Sequence, residues 1–415
     1  MKKQNVYVYP AVFAAIILTV VSMTVYSNDD SPVDFSPLTG LILDLKANPH
    51  NKNELYAVVA RKGLYRSIDK GDTWIYCDTG LPVKDDESIR EMAFDPVENV
   101  TYALIRNNST SAGALYKSYD FKNWVKLEEF NNLFYINVFM QATSQSHIFI
   151  QSTGQSKILY VRGGGLHASI NGRTWEKIDA PSPYYHSDAH LYPVAVDRVD
   201  PGIAYFALLR PRTHFYGDNW DGSGIYKSSD QGKTMEKILS SHSDTLLISS
   251  SDANVMYGVD EIFENKIHIN RILKSTSRGA SWEVQGKLEE ITVERLFMSP
   301  VDHNILYAIT VDRRHLQDIN YELVEDRESD DLQAKQLLLR SGNGGKTWQD
   351  ISSGSPFNNK NYANSILPDP LNQEVLYVGA SNGLFKSEDA GKTWKQVSVC
   401  RNNIDNNDDE YDEDE

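Results

Sequence analysis

The chain has 415 residues and a formal net charge of −16 at pH 7. A negative surface repels phosphate backbones, so the composition argues against nucleic acid as a ligand. The acidic end of the chain, from Asp405 to Glu415, lacks the alternating Asp/Asn spacing and the glycine of a calcium loop. We therefore predict a disordered, solvated tail over residues 401–415.

The N-terminal segment reads as an export signal. Lys2 and Lys3 precede an apolar run from about Val6 to Tyr26, and Ser27 would suit cleavage before the next residue. The run is also long enough for an uncleaved membrane anchor. In either case the lysines leave the rest of the chain outside the cytoplasm. We predict a signal peptide or anchor over residues 1–27, the only membrane contact, and an exported protein, either periplasmic, secreted or anchored.

A short lead-in over residues 28–39 precedes an eight-residue pattern that recurs along the chain. It first reads Ser67-Ile-Asp69-Lys-Gly71-Asp-Thr73-Trp74, and the first serines of its seven copies are 46 to 66 residues apart. At a tight turn an Asp side chain bonds backbone amides two residues on, and the glycine takes a positive φ. We call these segments the box turns. Their third residues, interpreted as structural, are Asp69, Asp120, Asn171, Asp230, Ser277, Asn343 and Asp389.

Each box turn lies between two short apolar strands, and two more strands precede them. Turns containing Asp-Pro or Ser-Pro, such as Asp95-Pro96 and Ser299-Pro300, separate the two upstream strands. Each repeat therefore reads strand A, turn, strand B, loop, strand C, box turn, strand D. Four antiparallel strands repeated radially form a propeller blade. We predict an all-β protein, a single seven-bladed β-propeller over residues 40–400.

The pattern resembles the Asp box of sialidases, sortilin-type receptors, xyloglucanases and related propellers. This resemblance implies the fold but no activity, because unrelated activities share these repeats. Xyloglucanases carry a catalytic Asp in their first blade, and the matching position here is Ala60. The Arg-Ile-Pro motif of sialidases is absent from the sequence. We expect neither activity, no catalytic residue and no cofactor.

The order of the strands separates two faces. A–B turns and box turns lie at one end of each blade, the box face; B–C loops and D–A connections lie at the other, the long-loop face. The long segments, residues 180–191, 209–224, 311–337 and 351–362, all belong to the second face. Binding residues concentrate on variable loops held by a rigid scaffold.

These loops hold aromatic and charged side chains suited to a protein hot spot or a sugar platform. The candidate binding residues are Arg210, Arg212, His214, Tyr216, Trp220, Asp221, Tyr184, Tyr185, His186, Arg313 and Arg314. We expect the blade 4 residues to lie near His186, on the face opposite Trp74 and Trp394. His186, Asp188 and His190 have metal-ligand side chains, but prolines place them in a loop, and we predict no metal site.

Two classes of function remain open. The leading hypothesis is a non-catalytic interaction module that binds a protein partner through the long-loop face. In this it looks like the single-propeller assembly factors of this repeat class, including the photosystem II assembly factors. The alternative is a glycan-binding protein or a diverged glycoside hydrolase.

The two cysteines raise the question of how the ring closes. Cys77 is predicted in strand D of blade 1 and Cys400 at the end of strand D of blade 7. Each repeat runs from A to D within itself, so no strand is predicted to cross between these blades. A disulfide closing a loop of about 320 residues would contribute roughly 5 kcal/mol, but it needs Cα atoms within about 7 Å. Two separate packed thiols are the other interpretation.

Overall fold

The computed structural model describes residues 34–401, except for 78–79, 82, 84–85, 111, 131–147, 154–155, 163–165, 182–189, 198, 201, 210–221, 242–244, 266, 313, 315–334, 353–355 and 358–360. The described residues form thirty strands in seven sheets. Within this part of the chain no helix is long and apolar enough to cross a membrane. Residues 36–399 make up one compact unit. The protein is a seven-bladed β-propeller of four-stranded antiparallel blades, as the repeat predicts.

The first four blades follow one another along the chain. Blade 1 contains β2 (Ile42–Asn48), β3 (Asn51–Val59), β4 (Gly63–Ser67) and β5 (Thr73–Tyr76). Blade 2 contains β6 (Glu87–Phe94), β7 (Thr101–Asn107), β8 (Gly113–Ser118) and β9 (Trp124–Phe130). Blade 3 contains β10 (Ile148–Thr153), β11 (Ser156–Arg162), β12 (Leu166–Ser169) and β13 (Glu176–Ile178). Blade 4 contains β14 (His190–Val196), β15 (Ala204–Leu209), β16 (Gly224–Ser228) and β17 (Glu236–Leu239).

The last three blades keep the same order, and one strand lies at each end of the described chain. Blade 5 contains β18 (Leu246–Ile248), β19 (Met256–Glu264), β20 (Ile267–Ser275) and β21 (Glu283–Glu289). Blade 6 contains β22 (Ile291–Met298), β23 (Leu306–Asp312), β24 (Lys335–Ser341) and β25 (Gln349–Asp350). Blade 7 contains β26 (Ala363–Pro368), β27 (Leu376–Ala380), β28 (Gly383–Ser387) and β29 (Lys395–Gln396). The terminal strands are β1 (Asp34–Pro37) and β30 (Ser398–Arg401).

The hydrophobic core lies between the blades. Seven clusters of buried residues are found, each shared by two neighbouring blades, including blades 7 and 1. Strand B is covered on both faces, so its residues form continuous apolar runs; all five residues of Leu376–Ala380 are buried. A strand packed on one face only would alternate between apolar and polar residues. The continuous apolar sequence of the B strands is therefore explained by their position in the middle of each blade.

The box turns have the expected polar chemistry with one difference in spacing. Asp69 Oδ1 accepts a hydrogen bond from the Thr73 amide at 3.0 Å, four residues on. In the shorter turn of blade 2, Asp120 Oδ1 accepts from the amides of Lys122 and Asn123, at 2.9 and 2.8 Å. The prediction of a bond two residues on is thus wrong for the eight-residue turn. Because the longer turn has one more residue, the carboxylate of Asp69 accepts from the amide of Thr73, and the amide of Gly71 donates to Ser67 Oγ instead.

The ring is closed by a strand that the sequence analysis did not predict. β30 leaves blade 7 and pairs in parallel with β5 of blade 1, with Ser398 opposite Thr73 and Val399 opposite Trp74. The sheet of blade 1 therefore has six strands, in the order β1-β30-β5-β4-β3-β2. The Tyr377 hydroxyl of blade 7 also donates to the Lys70 carbonyl of blade 1 at 2.5 Å. The expectation that no strand crosses between these blades is wrong, because the chain continues beyond strand D of blade 7.

The cysteines occupy slightly different positions from those predicted. Cys77 directly follows β5, and Cys400 belongs to β30 rather than to strand D of blade 7. The two are not joined by a disulfide in this structure. This agrees with the interpretation of two separate packed thiols. Non-reducing mass spectrometry of the purified protein decides between the two interpretations, since two alkylatable thiols would exclude the bond.

Candidate functional site

The long-loop face lies where the strand order predicts. All four strands of each blade pair antiparallel in the order A-B-C-D, so the B–C and D–A segments lie opposite the box turns. Two of the predicted loop boundaries match the strands closely, since β15 ends at Leu209 and β16 begins at Gly224. The predicted connection over 180–191 is too long, because His190 is already the first residue of β14.

Most of the predicted binding residues lie outside the described part of the chain. These are Arg210, Arg212, His214, Tyr216, Trp220, Asp221, Tyr184, Tyr185, His186 and Arg313. Arg314 is described, and its side chain is 60% exposed while its guanidinium lies 2.6 Å from Asp312. The juxtaposition of the blade 4 residues with His186 therefore stays a prediction.

Blade 5 carries the longest described hairpin of the long-loop face. Its strands β19 and β20 have nine residues each, and they pair without interruption from Met256 opposite Ser275 to Glu264 opposite Ile267. The outer strand β21 follows this extension, with Glu289 opposite Ile269. The hairpin separates two blades whose B–C segments are the long ones of the chain. It therefore belongs to the blade between the two whose B–C segments are longest.

The tip of this hairpin exposes apolar side chains. Phe263 is 70% exposed and Ile267 is 37% exposed. The ring of Phe263 lies edge-on to His268, with centroids 5.3 Å apart. Because this contact is across a regular ladder, the aromatic ring is held on a rigid support. An exposed aromatic side chain of this kind is typical of a protein-binding surface.

Buried polar contacts fasten the base of the hairpin. Asp260 is 7% exposed and receives two hydrogen bonds from the Arg271 guanidinium. His268 Nε2 lies 2.6 Å from Glu261 Oε1. Asn270, which is 2% exposed, accepts a hydrogen bond from the Val293 amide of blade 6 at 2.6 Å. These contacts stabilise the hairpin against its neighbour and leave its tip in solvent.

Blade 2 places two arginines together near the same face. Strand A has a bulge between Ile89 and Glu91, where Arg90 lies. Two residues earlier in the same strand, Ser88 is paired with Arg106 of strand B. Partial burial lowers the pKa of Arg90, and the positive charge of Arg106 lowers it further. The two arginines are thus close enough for their charges to interact.

The inner strands of blades 1 and 2 hold a group of charged residues. Lys46 Nζ lies 3.3 Å from Asp44 Oδ1, and Glu91 is 5% exposed. Burial raises the pKa of the Asp44 carboxyl, and Glu91 adds to this, while Lys46 opposes it. Burial alone would lower the pKa of Lys46, but Asp44 and Glu91 raise it above its ordinary value. Lys46 thus offsets part of the repulsion between Asp44 and Glu91, but the charged form of Asp44 remains disfavoured by burial.

Other chemistry is limited in the described ranges. There, no group of three or more His, Cys, Asp or Glu side chains could hold a metal ion. Ala60, at the position of the xyloglucanase carboxylate, directly follows β3, and its amide donates to the Leu41 carbonyl at 2.8 Å. Its methyl group offers no acid, base or nucleophile.

Sequence reasoning missed the hairpin of blade 5. The loop that joins its strands is short, whereas the predicted binding residues belong to the long loops. A signal was present, because the run from Ile267 to Ser275 is longer than strand C of the other described blades, and the run from Met256 to Glu264 equals the nine residues of β3, the longest other strand B. Equal elongation of two paired strands indicates a hairpin that projects from the face. The exposed Phe263 then follows from its place near the tip.

No family model matches the chain, and no curated protein matches its sequence. Solved structures do resemble it. The GH74 xyloglucanase from Xanthomonas campestris has a TM-score of 0.60 and 15% identity over 89% of this chain and 55% of that one. The GH74 enzyme from Niastella koreensis has a TM-score of 0.55 and 19% identity over 88% of this chain and 54% of that one.

A third resemblance covers almost the whole of the compared protein. YCF48 from Cyanidioschyzon merolae has a TM-score of 0.52 and 13% identity over 85% of this chain and 97% of that one. This chain spans about half the length of the two GH74 proteins. At these identities the three comparisons establish a shared propeller fold.

Proposed function

We propose that this protein is a non-catalytic interaction module that binds a protein partner through its long-loop face. The observation that carries this proposal is Phe263, 70% exposed on a hairpin whose base is fixed by buried polar contacts. An aromatic ring that is already held in place loses little conformational entropy on binding. Its burial by a partner removes apolar surface from water, which favours association.

We therefore propose a partner that presents an apolar patch to Phe263. Following the N-terminal segment, we propose that binding takes place outside the cytoplasm.

The experiment is a cross-linking capture with the full chain, comparing Phe263→Ser with Val284→Ser. Val284 is 46% exposed on the outer strand of the same blade, so it is a matched control away from the face. We expect Phe263→Ser to lose the captured partner and Val284→Ser to keep it. Capture of the same protein by both variants at equal yield would contradict the proposal.

The alternative, a diverged glycoside hydrolase, has one observation in its favour. Asp44 and Glu91 are neighbouring carboxylates, and a raised pKa such as that of Asp44 is typical of a general acid. Against it, Lys46 lies 3.3 Å from Asp44 and supplies the counter-charge, so the group is explained as a structural network. We expect no hydrolysis of xyloglucan, sialosides or other glycans of a broad array. Turnover by the pure protein that Asp44→Asn abolishes would instead support the enzyme.

A further inference from the structure

The tryptophan at the end of a box turn can bridge two blades. In blade 5, Trp282 Nε1 donates to the carbonyl of Ile238 in blade 4 at 2.9 Å. In blade 7, Trp394 Nε1 donates to the Ile351 carbonyl in blade 6 at 3.4 Å. Each indole therefore fills the space beside the preceding blade and bonds an isoleucine carbonyl there. In blades 1, 2 and 6 the indole donates instead to its own box turn.

The glycine of the box turns in blades 4, 5 and 7 packs against an isoleucine of the preceding blade, so it identifies the equivalent isoleucine from blade to blade. A Cβ at Gly279 would lie 2.7 Å from Ile238 Cδ1, and one at Gly391 would lie 2.8 Å from Ile351 Cδ1. In blade 4 a Cβ at Gly232 would lie 2.7 Å from Ile178 Cδ1. The box turn of blade 4 thus packs on Ile178 of blade 3 as its counterparts pack on Ile238 and Ile351.

Blade 4 departs from this arrangement at one residue. Its box turn ends in Met235, where the turns of blades 5 and 7 end in Trp282 and Trp394. The methionine side chain has no N–H, so it cannot donate to the Ile178 carbonyl as an indole would. Its side chain is also narrower than an indole ring and leaves space beside the preceding blade.

That space is an open groove of about 540 Å³ between blades 3 and 4. Ile178, Ala180 and Met235 contribute apolar atoms to its lining. Charged groups of both signs also line it, namely Lys177, Lys233, Glu176 and Asp179, and Lys177 Nζ lies 3.4 Å from Asp179 Oδ1. A thioether makes favourable contacts with aromatic rings. Lysine ammonium groups are attracted to the face of an indole. The groove therefore combines apolar side chains, charged groups of both signs and the position at which two other blades hold an indole.

We propose that the groove between blades 3 and 4 binds a tryptophan side chain of a partner protein, whose indole N–H donates to the Ile178 carbonyl. The partner's ring takes the place that Trp282 and Trp394 occupy in their own blades. The volume exceeds that of one ring and leaves room for the backbone on either side. This site is formed by the box turns, the outer strand of blade 3 and the start of the connection at Ala180. It does not include Phe263, so it does not depend on the function proposed for the blade 5 hairpin.

The first test uses the full chain and the peptide Gly-Gly-Trp-Gly-Gly, with binding followed by saturation-transfer NMR. We expect binding to the wild type, at least a tenfold weaker affinity for Met235→Trp, whose own indole fills the groove, and little change for Met235→Leu. The peptide Gly-Gly-Leu-Gly-Gly, which has no N–H on its side chain, should bind at least tenfold more weakly. Equal binding of both peptides, or unchanged binding to Met235→Trp, would overturn the proposal.

The reciprocal variant makes the test independent of whether Met235→Trp folds. Trp282→Met should open the equivalent groove between blades 4 and 5, with the Ile238 carbonyl as its acceptor. We expect this variant to bind two tryptophan peptides per chain, whereas the wild type binds one. A folded Trp282→Met protein that binds no additional peptide would show that the missing indole does not create the site.

Discussion

The box face and the long-loop face of this propeller are built on different principles. On the box face, seven turns repeat one local design, in which a side-chain oxygen of the third residue bonds amides of its own turn. On the long-loop face, a single residue, Glu290, joins blades 5 and 6, while the B–C segment of blade 6 runs from Asp312 to Lys335. The box face fixes how the blades pack, and this leaves the opposite face free to vary.

The largest expected effect of a substitution lies on the box face. Gly71 has φ +76°, and a Cβ there would lie 2.5 Å from Tyr377 Cε1 of blade 7. We expect Gly71→Ala to lower the free energy of unfolding by about 3 kcal/mol, since backbone strain and overpacking add. The matched control is Gly342→Ala, where the nearest atom lies 3.7 Å away. Urea denaturation should show the control to be within about 0.5 kcal/mol of wild type.

A buried charge on the long-loop face gives the next effect. Arg271→Ala removes both hydrogen bonds to Asp260, which is 7% exposed. We expect a loss of about 2 kcal/mol, because the carboxylate stays buried without its cation. Arg314→Ala is the control, since the exposed pair Arg314–Asp312 should contribute less than about 1 kcal/mol. Equal losses in the two variants would show that burial does not distinguish these pairs.

A smaller effect tests the repetition of the box turns. Asp389 Oδ1 accepts from the Thr393 amide at 2.8 Å, and Asn343 does the same for Thr347 at 3.0 Å. We therefore expect Asp389→Asn to be almost neutral and Asp389→Ala to lose about 1 kcal/mol, by loss of the turn hydrogen bonds. Thermal and urea denaturation at pH 7 measure both.

The charge of Asp389 adds a dependence on pH. Hydrogen bonds from Thr393 lower the pKa of its carboxyl to about 2 from a model-compound value of 3.8. A lowered pKa stabilises the fold above the unfolded-state value, and this contribution is lost as the pH falls through the folded-state value. The stability advantage of wild type over Asp389→Ala should therefore shrink between pH 4 and pH 2. Asp389→Asn, which does not titrate, should keep its advantage over Asp389→Ala across that range.

The smallest expected effect on stability is at the tip of the blade 5 hairpin. Phe263→Ser removes a side chain that is 70% exposed, so we expect the free energy of unfolding to change by less than about 0.5 kcal/mol. Partner binding should nevertheless be lost. A loss of several kcal/mol would show instead that Phe263 packs the fold, and would remove the observation on which the proposed function rests.

Local patterns in the sequence were enough to predict the blades and their strand order. The box turns and the B strands are recognised because turn chemistry and continuous apolar runs depend on neighbours in the chain. The closing strand was missed because Ser398 and Thr73 are far apart in sequence and no local pattern links them. His190 was assigned to a loop since prolines surround it, yet the ladder with Leu209 places it in β14.

The sequence by itself determined the number of blades, the order of their strands and the face on which each connection lies. These follow from a repeat whose information is local, and antiparallel pairing then leaves only one arrangement of the two faces. Tertiary structure alone decided that Phe263 is exposed and that a groove lies beside Met235. The exposure of a side chain and the volume of a groove depend on which side chains of the neighbouring blades pack there. Those side chains are distant in the chain, so no local pattern reveals them.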